Sequence, residues 1–163
     1  MPSRIEPVVN CTYRAKPEKG GVWTSTFTPN AEYCSEWIEW CCSEGPHDWI
    51  DCDRCVVLSA NKEVNVYAIN TYKDAEKLYA SYGLPETEVS RSLFDWTAIS
   101  KDYDGVMLTQ LGQICTRFSR PISLYGWDCE SSIWFRNVFS SAVPLREVKF
   151  YNSAIKCRCR EGN

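Results

Sequence analysis

The sequence predicts an α+β fold: a single domain over residues 1–163, with mixed or antiparallel sheets and a few helices. Segments rich in β-branched and aromatic residues outnumber segments with helical periodicity. The helical segments do not alternate strictly with the strands, as a doubly wound sheet requires. The chain has 163 residues, of which 44% are hydrophobic and 24% charged, the size and composition of one folded domain.

The first half of the chain predicts strands around one helix. After the loop "KPEKGG", the segment "GVWTSTF" has the β-branched and aromatic residues of a strand. Cys34, Trp37, Ile38 and Cys41 then recur at the spacing of one helical face. Two strands follow, around Cys55–Ser59 and Val64–Ile69, and the turn "ANKE" between them predicts a hairpin.

The second half predicts two helices and three strands. Thr71 and Asp74 have the spacing of a capping box, and Gly83 marks the end of that helix. A second helix is expected from about Thr87 to Asp102. The strands are predicted at "YDGVMLT", Ser131–Phe135 and "EVKFYN".

Charge and hydropathy indicate a cytoplasmic protein without an obvious polyanionic partner. The net charge of −3 does not indicate binding to nucleic acid or to anionic lipid. No segment has the length and apolarity of a membrane span, and the N-terminus lacks the apolar stretch of a signal peptide. The ten cysteines are therefore expected to be mostly reduced, and no metal is predicted. A zinc site built from Cys52, Cys55, Cys157 and Cys159 is the alternative.

The chain offers few motifs of common catalytic classes. His47 is the one histidine, which excludes metal sites that need two or more histidines, and its Gly-Pro turn favours a solvated side chain. Neither GxxxxGK[ST] nor GxGxxG occurs.

The segment "GGVWTST" is the first candidate binding site. On a strand, Trp23 and Ser25 share one face, and Thr24 and Thr26 share the other. A wide aromatic ring beside small hydroxyls suits a ligand with a flat ring and a ribose. The alternative is a half-buried strand whose hydroxyls face water.

The segment "YGWDCES" is the second candidate. If the following strand has already begun there, Asp128 and Glu130 share a face, with Tyr125 and Trp127 beside them. Two carboxylates can serve chemistry through a sugar cation, one stabilising the oxocarbenium-like charge and the other accepting a proton. The alternative is a structural ion pair with one of the arginines.

The order of these segments resembles that in a family of small bacterial and phage proteins. The resemblance covers most of residues 14–136 and rests on "KPEKGGVWTS", Trp37-x-x-Trp40, "DYDGVMLT" and "YGWDCESSIWF". More loosely, the arrangement resembles the ADP-ribosyltransferase fold. Enzymes of that fold have an Arg or His on the first strand, a hydroxyl-rich strand that holds the nicotinamide ribose, and a Glu at the start of a later strand.

The second resemblance implies NAD-dependent ADP-ribosyl transfer or NAD glycohydrolysis, with NAD as substrate. Glu130 is similar to the Glu of the [Q/E]-x-E motif and Ser25 to the hydroxyl motif. Asp128 takes the first place of the former motif, a departure that leaves the acceptor, macromolecule or small molecule, undetermined. The absence of a first-strand His favours the Arg-Ser-Glu branch, with Arg4, or its rival Arg14, holding the diphosphate.

The aromatic residues complete this prediction and also support a different one. Trp23 or Tyr125 is expected to stack on nicotinamide, with Thr24 and Trp127 also near the cofactor. The alternative function is a non-catalytic phage or bacterial protein-binding factor. Its support is the seven tryptophans, because exposed Trp and Tyr side chains anchor interfaces.

Overall fold

The computed structural model describes residues 4–29, 31–44, 54–85 and 93–148, and these form two compact units. The two-stranded unit comprises the described residues of Ser25–Glu63 and Val138–Asn163. The four-stranded unit comprises those of Pro2–Thr24 and Val64–Asn137. The single domain over residues 1–163 stays a prediction, because one domain can contain two compact units.

Helices and strands are mixed along the chain, and the α+β class is confirmed. The strands are β1 (Val22–Thr24), β2 (Val56–Ala60), β3 (Val66–Ile69), β4 (Gly105–Leu108), β5 (Ser131–Trp134) and β6 (Phe139–Pro144). The helices are α1 (Glu36–Ser43), α2 (Tyr72–Tyr82), α3 (Trp96–Asp102) and α4 (Gln110–Thr116).

The four-stranded unit contains a mixed sheet in the order β1-β5-β4-β3. β3 and β4 are parallel, and α2 and α3 lie in the connection that parallel strands require. β5 is antiparallel to both β1 and β4, with Thr24 opposite Ser132. The core is aromatic and aliphatic, and its largest fully buried side chains are Trp96, Trp127, Phe94, Ile69 and Leu78.

The two-stranded unit pairs β2 with β6 in an antiparallel ladder. Ser35 caps α1 by accepting a hydrogen bond from the Ile38 N–H at 3.3 Å. Thiols supply much of the core, which contains Cys34, Ile38, Cys41, Cys42 and Leu145.

Several local predictions are confirmed. The Thr71/Asp74 capping box opens α2, and the helix ends before Gly83. β4 and β5 lie where "YDGVMLT" and Ser131–Phe135 placed them.

Other predictions are wrong because partners distant in sequence decide the structure. The strands around Cys55–Ser59 and Val64–Ile69 form no hairpin, since β2 pairs with β6 and β3 with β4. Leu93 and Phe94 are not helical, and α3 begins only after its N-cap Asp95. Most of "EVKFYN" lies outside the described residues, and Glu147 closes a 3-10 helix. α4 and β6 were not predicted.

Candidate functional site

The segment before β5 is fixed by a buried indole. Gly126 takes a left-handed conformation with φ of 89°, which an L-residue rarely adopts. Trp127 follows and is 1% exposed; its Nε1–H donates to the Ser131 Oγ at 2.6 Å. Ser131 in turn donates to the Cys129 carbonyl oxygen at 3.2 Å. These bonds hold the segment that contains both candidate carboxylates.

Three indole rings form a row from the surface of the four-stranded unit into its core. Trp23 on β1 is 41% exposed, and its ring lies edge-on to Trp127 with 5.1 Å between centroids. Trp127 packs against the buried Trp96 at 6.0 Å. Trp23 therefore offers an accessible ring. Trp127 packs against Trp23 on the core side and, being buried, cannot stack on a ligand itself.

Lys16 joins the two sequence motifs. Its ammonium lies 5.6 Å from the centroid of the Trp23 ring and 3.6 Å from Asp128 Oδ2. Both members of the ion pair are about one-third exposed or less. Burial lowers the pKa of Lys16 below its ordinary value, although the charge of Asp128 acts in the opposite direction. We call Lys16, Trp23 and Asp128 the Lys16 cluster; sequence reasoning identified its other two members but missed Lys16.

The two carboxylates have different surroundings. Asp128 and Glu130 precede the first residue of β5, so the condition under which they would share a strand face is not met. Asp128 is half-buried in its ion pair, and the partner is a lysine rather than an arginine. Glu130 is 6% exposed and is followed by the equally buried Ser131 and Ser132. Burial of a carboxylate costs free energy that polar interactions must offset, and Glu130 is not without a partner in the structure.

The hydroxyl motif is divided between the two units. β1 ends at Thr24, so Ser25 and Thr26 do not continue the strand as predicted. The Thr24 hydroxyl accepts a hydrogen bond from the Trp134 Nε1–H at 2.8 Å. Ser25 belongs to the two-stranded unit, where its Oγ accepts a hydrogen bond from the Trp37 N–H at 3.3 Å.

The two candidate arginines are both exposed. Arg4 lies in an irregular segment, so the prediction that it occupies the first strand is wrong; β1 comes later in the chain. The Arg14 guanidinium lies 5.4 Å from the Tyr13 ring centroid. Burial raises the pKa of Cys11, but hydrogen bonds from the Tyr13 and Arg14 backbone and from the Arg14 side chain outweigh it, and the pKa is lowered.

Tyr125, which was expected to stack on nicotinamide, contacts another aromatic side chain of the protein. It is 65% exposed, and its ring packs beside Phe118 with 5.9 Å between centroids. The two rings belong to a surface that includes α4. Gln113 of α4 connects this region to the Lys16 cluster, because its Nε2–H donates to the Asp128 carbonyl oxygen at 3.2 Å.

Neither a metal centre nor a membrane span is found in the part of the chain that the structure describes. No group of three or more His, Cys, Asp or Glu side chains there could hold a metal ion. Of the alternative zinc ligands, Cys52, Cys157 and Cys159 lie outside the described residues, as does His47. Among the described helices, none has the length and apolar character to cross a bilayer.

Comparison of the chain with family models, with curated proteins and with solved structures gave no match.

Proposed function

We propose that this protein cleaves NAD at the nicotinamide–ribose bond and transfers the ADP-ribosyl group to an acceptor or to water. The observation that carries the proposal is the segment before β5. It holds a buried Glu130 two residues from Asp128, whose ion pair with Lys16 lies against the accessible Trp23 ring. A flat ring, a cation and two carboxylates are the groups that a dinucleotide and a ribosyl cation require.

The β1–β5 pairing supports the likeness to the ADP-ribosyltransferase fold. In enzymes of that fold, a hydroxyl-bearing strand and a strand that follows a Glu contribute to one site. Here the two strands are direct neighbours, with Thr24 opposite Ser132 and Glu130 just before β5.

Each candidate side chain has a defined role in this reaction. The nicotinamide ring stacks on Trp23, and Arg14 or Arg4 contacts the diphosphate. As the bond between ribose C1′ and the ring nitrogen breaks, its electron pair leaves with nicotinamide and Glu130 stabilises the cation. The acceptor hydroxyl or water then adds to C1′, and Asp128 takes its proton.

The test measures nicotinamide release from NAD, with and without cell lysate as a source of acceptor. Glu130→Gln keeps the shape of the side chain and removes its charge, so turnover should fall by about a hundredfold or more while NAD affinity changes little. Glu76→Gln, the same change at an exposed position on α2, is the matched control and should leave turnover unchanged. Asp128→Asn should impair transfer more than hydrolysis, because the resemblance places Asp128 at the motif position that helps choose the acceptor.

A second function is favoured by a specific observation. Phe118 and Tyr125 are 75% and 65% exposed, which is typical of side chains that anchor a protein interface. If wild-type protein binds no NAD and releases no nicotinamide with any lysate, the enzymatic proposal fails. A non-catalytic protein-binding factor then becomes the better description.

A further inference from the structure

The small residues of helix α4 face its own sheet. Gly112 is buried, and a Cβ added there would lie 2.0 Å from the Ile69 carbonyl oxygen. Thr116 is fully buried, and its hydroxyl donates to the Gly112 carbonyl oxygen at 2.7 Å. The close contact between α4 and β3 therefore depends on residues that bury little apolar surface.

The large apolar residues of the same helix, and of the turn that follows it, face outward. Leu111, Ile114 and Phe118 are 57%, 68% and 75% exposed, and Cys115 is exposed as well. Their spacing of i, i+3, i+4 and i+7 is the stripe that an ordinary surface helix turns toward its core. Tyr125 extends this surface, since its ring packs on Phe118. We call these five residues the α4 face, and an exposed apolar patch of this kind marks an interaction site.

Two arginines follow α4 in the sequence and lie close to the α4 face. From Gly105 to Trp127 the chain contains no Asp or Glu, whereas it contains Arg117 and Arg120. Arg120 is exposed, and the Arg117 guanidinium lies 5.4 Å from the Phe118 ring centroid. Cationic side chains therefore lie beside this apolar surface, in a chain whose net charge is −3.

We propose that the α4 face binds an amphipathic segment of a partner protein that carries carboxylates along its apolar stripe. Apolar anchors at helical spacing suit a complementary apolar stripe, and the two arginines suit acidic residues at its edge. A second copy of the chain would oppose arginine to arginine, which is unfavourable. Single-stranded nucleic acid could stack on Phe118 and Tyr125, but the aliphatic Leu111 and Ile114 offer no stacking surface, so an apolar stripe fits the whole face better. The inference goes beyond NAD cleavage and does not depend on it.

The test uses a displayed library of random 16-residue peptides, selected on the full chain and counter-selected on Ile114→Glu. We expect enriched peptides to have apolar residues at helical spacing and an excess of Asp and Glu over Lys and Arg. Ile114→Glu and Arg120→Glu should each lower the affinity of the chain for the synthesised peptides by about tenfold or more. Val56→Glu places the same charge at a 53% exposed apolar position of the two-stranded unit and should leave affinity unchanged.

Circular dichroism of each variant separates lost binding from lost folding, and Arg120→Glu decides the outcome if Ile114→Glu does not fold. Failure to enrich any Ile114-dependent peptide overturns the proposal, as does enrichment without acidic excess. Wild-type dimers in sedimentation velocity that Ile114→Glu abolishes would assign the face to a second copy instead. If the chain binds no peptide but binds phosphatidylserine vesicles or a dT20 oligonucleotide in a way that depends on Ile114, the proposal is overturned. The partner of the α4 face is then a membrane or a nucleic acid.

Discussion

The two units fill their cores with different side chains. In the four-stranded unit, Trp96, Trp127 and Phe94 are each 1% exposed and pack ring against ring. In the core cluster of the two-stranded unit three of the five buried residues are cysteines, while Trp37 and Trp40 pack against the cluster only partly buried. Because a buried ring removes far more apolar area from water than a thiol does, truncations in the four-stranded unit should cost more stability.

The largest expected effect comes from removing the central indole. Trp127→Ala should lower the free energy of unfolding by about 3–5 kcal/mol, since it opens a cavity between Trp23 and Trp96. It also removes the donor to the Ser131 Oγ. Urea denaturation measures the loss.

Two variants are compared with Trp127→Ala: one removes an exposed ring from the same unit, and the other changes a buried thiol in the two-stranded unit. Tyr125→Ala removes a 65% exposed ring and should cost within about 0.5 kcal/mol. Cys41→Ala removes one sulfur from the fully buried position of the two-stranded unit and should cost less than Trp127→Ala. A loss at Cys41 equal to that at Trp127 would contradict the comparison.

Elements with local signals could be predicted from the sequence, and elements set by distant partners could not. The capping box of α2 and the Asp104-Gly105 turn before β4 lie in adjacent residues, so the pattern alone located both elements. β2 was recognised as a strand, but its true partner β6 comes much later in the chain. α4 escaped detection because the helix is only seven residues long and contains Gly112.

The candidate site shows the same limit. Asp128 and Trp23 stood out through their own neighbours in sequence, but Lys16 joins them only through the fold. Its position in "KPEKGG" gave the ordinary signal of a loop. The burial of Glu130 likewise follows from its place before a central strand, which no local pattern indicates.

Adding a methyl group at the buried side of α4 should reverse the usual effect of a helical Gly→Ala change. In an exposed helix this substitution stabilises by about 0.5–1 kcal/mol. At Gly112 the new Cβ meets the Ile69 backbone, so we expect a loss of about 1–3 kcal/mol in urea denaturation. Gly126→Ala is the comparison: its site is open, and the cost comes from its positive φ alone, about 1 kcal/mol. Stabilisation by Gly112→Ala would show that α4 does not pack through its small residues.

The buried thiols should make the two-stranded unit lose stability at alkaline pH. Burial raises the pKa of Cys34 to about 11, with Cys55 adding to the effect, and burial together with Cys42 raises that of Cys41 to about 11. A raised pKa in the folded state means that this stability is present below the unfolded-state value and is lost as the pH rises toward 11. We expect a loss of about 1 kcal/mol per thiol near pH 10, measured by urea denaturation from pH 8 to 10.5. Cys41→Ala should reduce the slope with which the free energy of unfolding falls with pH. An unchanged slope would contradict the assignment of this pH dependence to the buried thiols.

A further pH-dependent effect should appear at the acidic end of the pH range, in the four-stranded unit. Asp74 Oδ2 accepts hydrogen bonds from the Thr71 hydroxyl and the Thr71 and Asn70 N–H groups, at 2.9, 2.9 and 3.1 Å. The Thr71 hydroxyl is the main cause of its lowered pKa, which burial opposes. A lowered pKa gives stability that is present above the unfolded-state value of about 3.9 and is lost as the pH falls through the folded-state value.

Asp74→Asn keeps the shape of this cap and removes its charge, so it should cost about 0.5–1 kcal/mol at pH 7 and less below pH 3. Ser35 caps α1 in the two-stranded unit with a hydroxyl that does not titrate, and Ser35→Ala should therefore lower stability by a similar amount at every pH. Urea denaturation of both variants at pH 7 and pH 2.5 separates the two cases. The capping assignment would be refuted by equal losses for Asp74→Asn at both pH values, because a charged cap must weaken once its carboxylate is protonated.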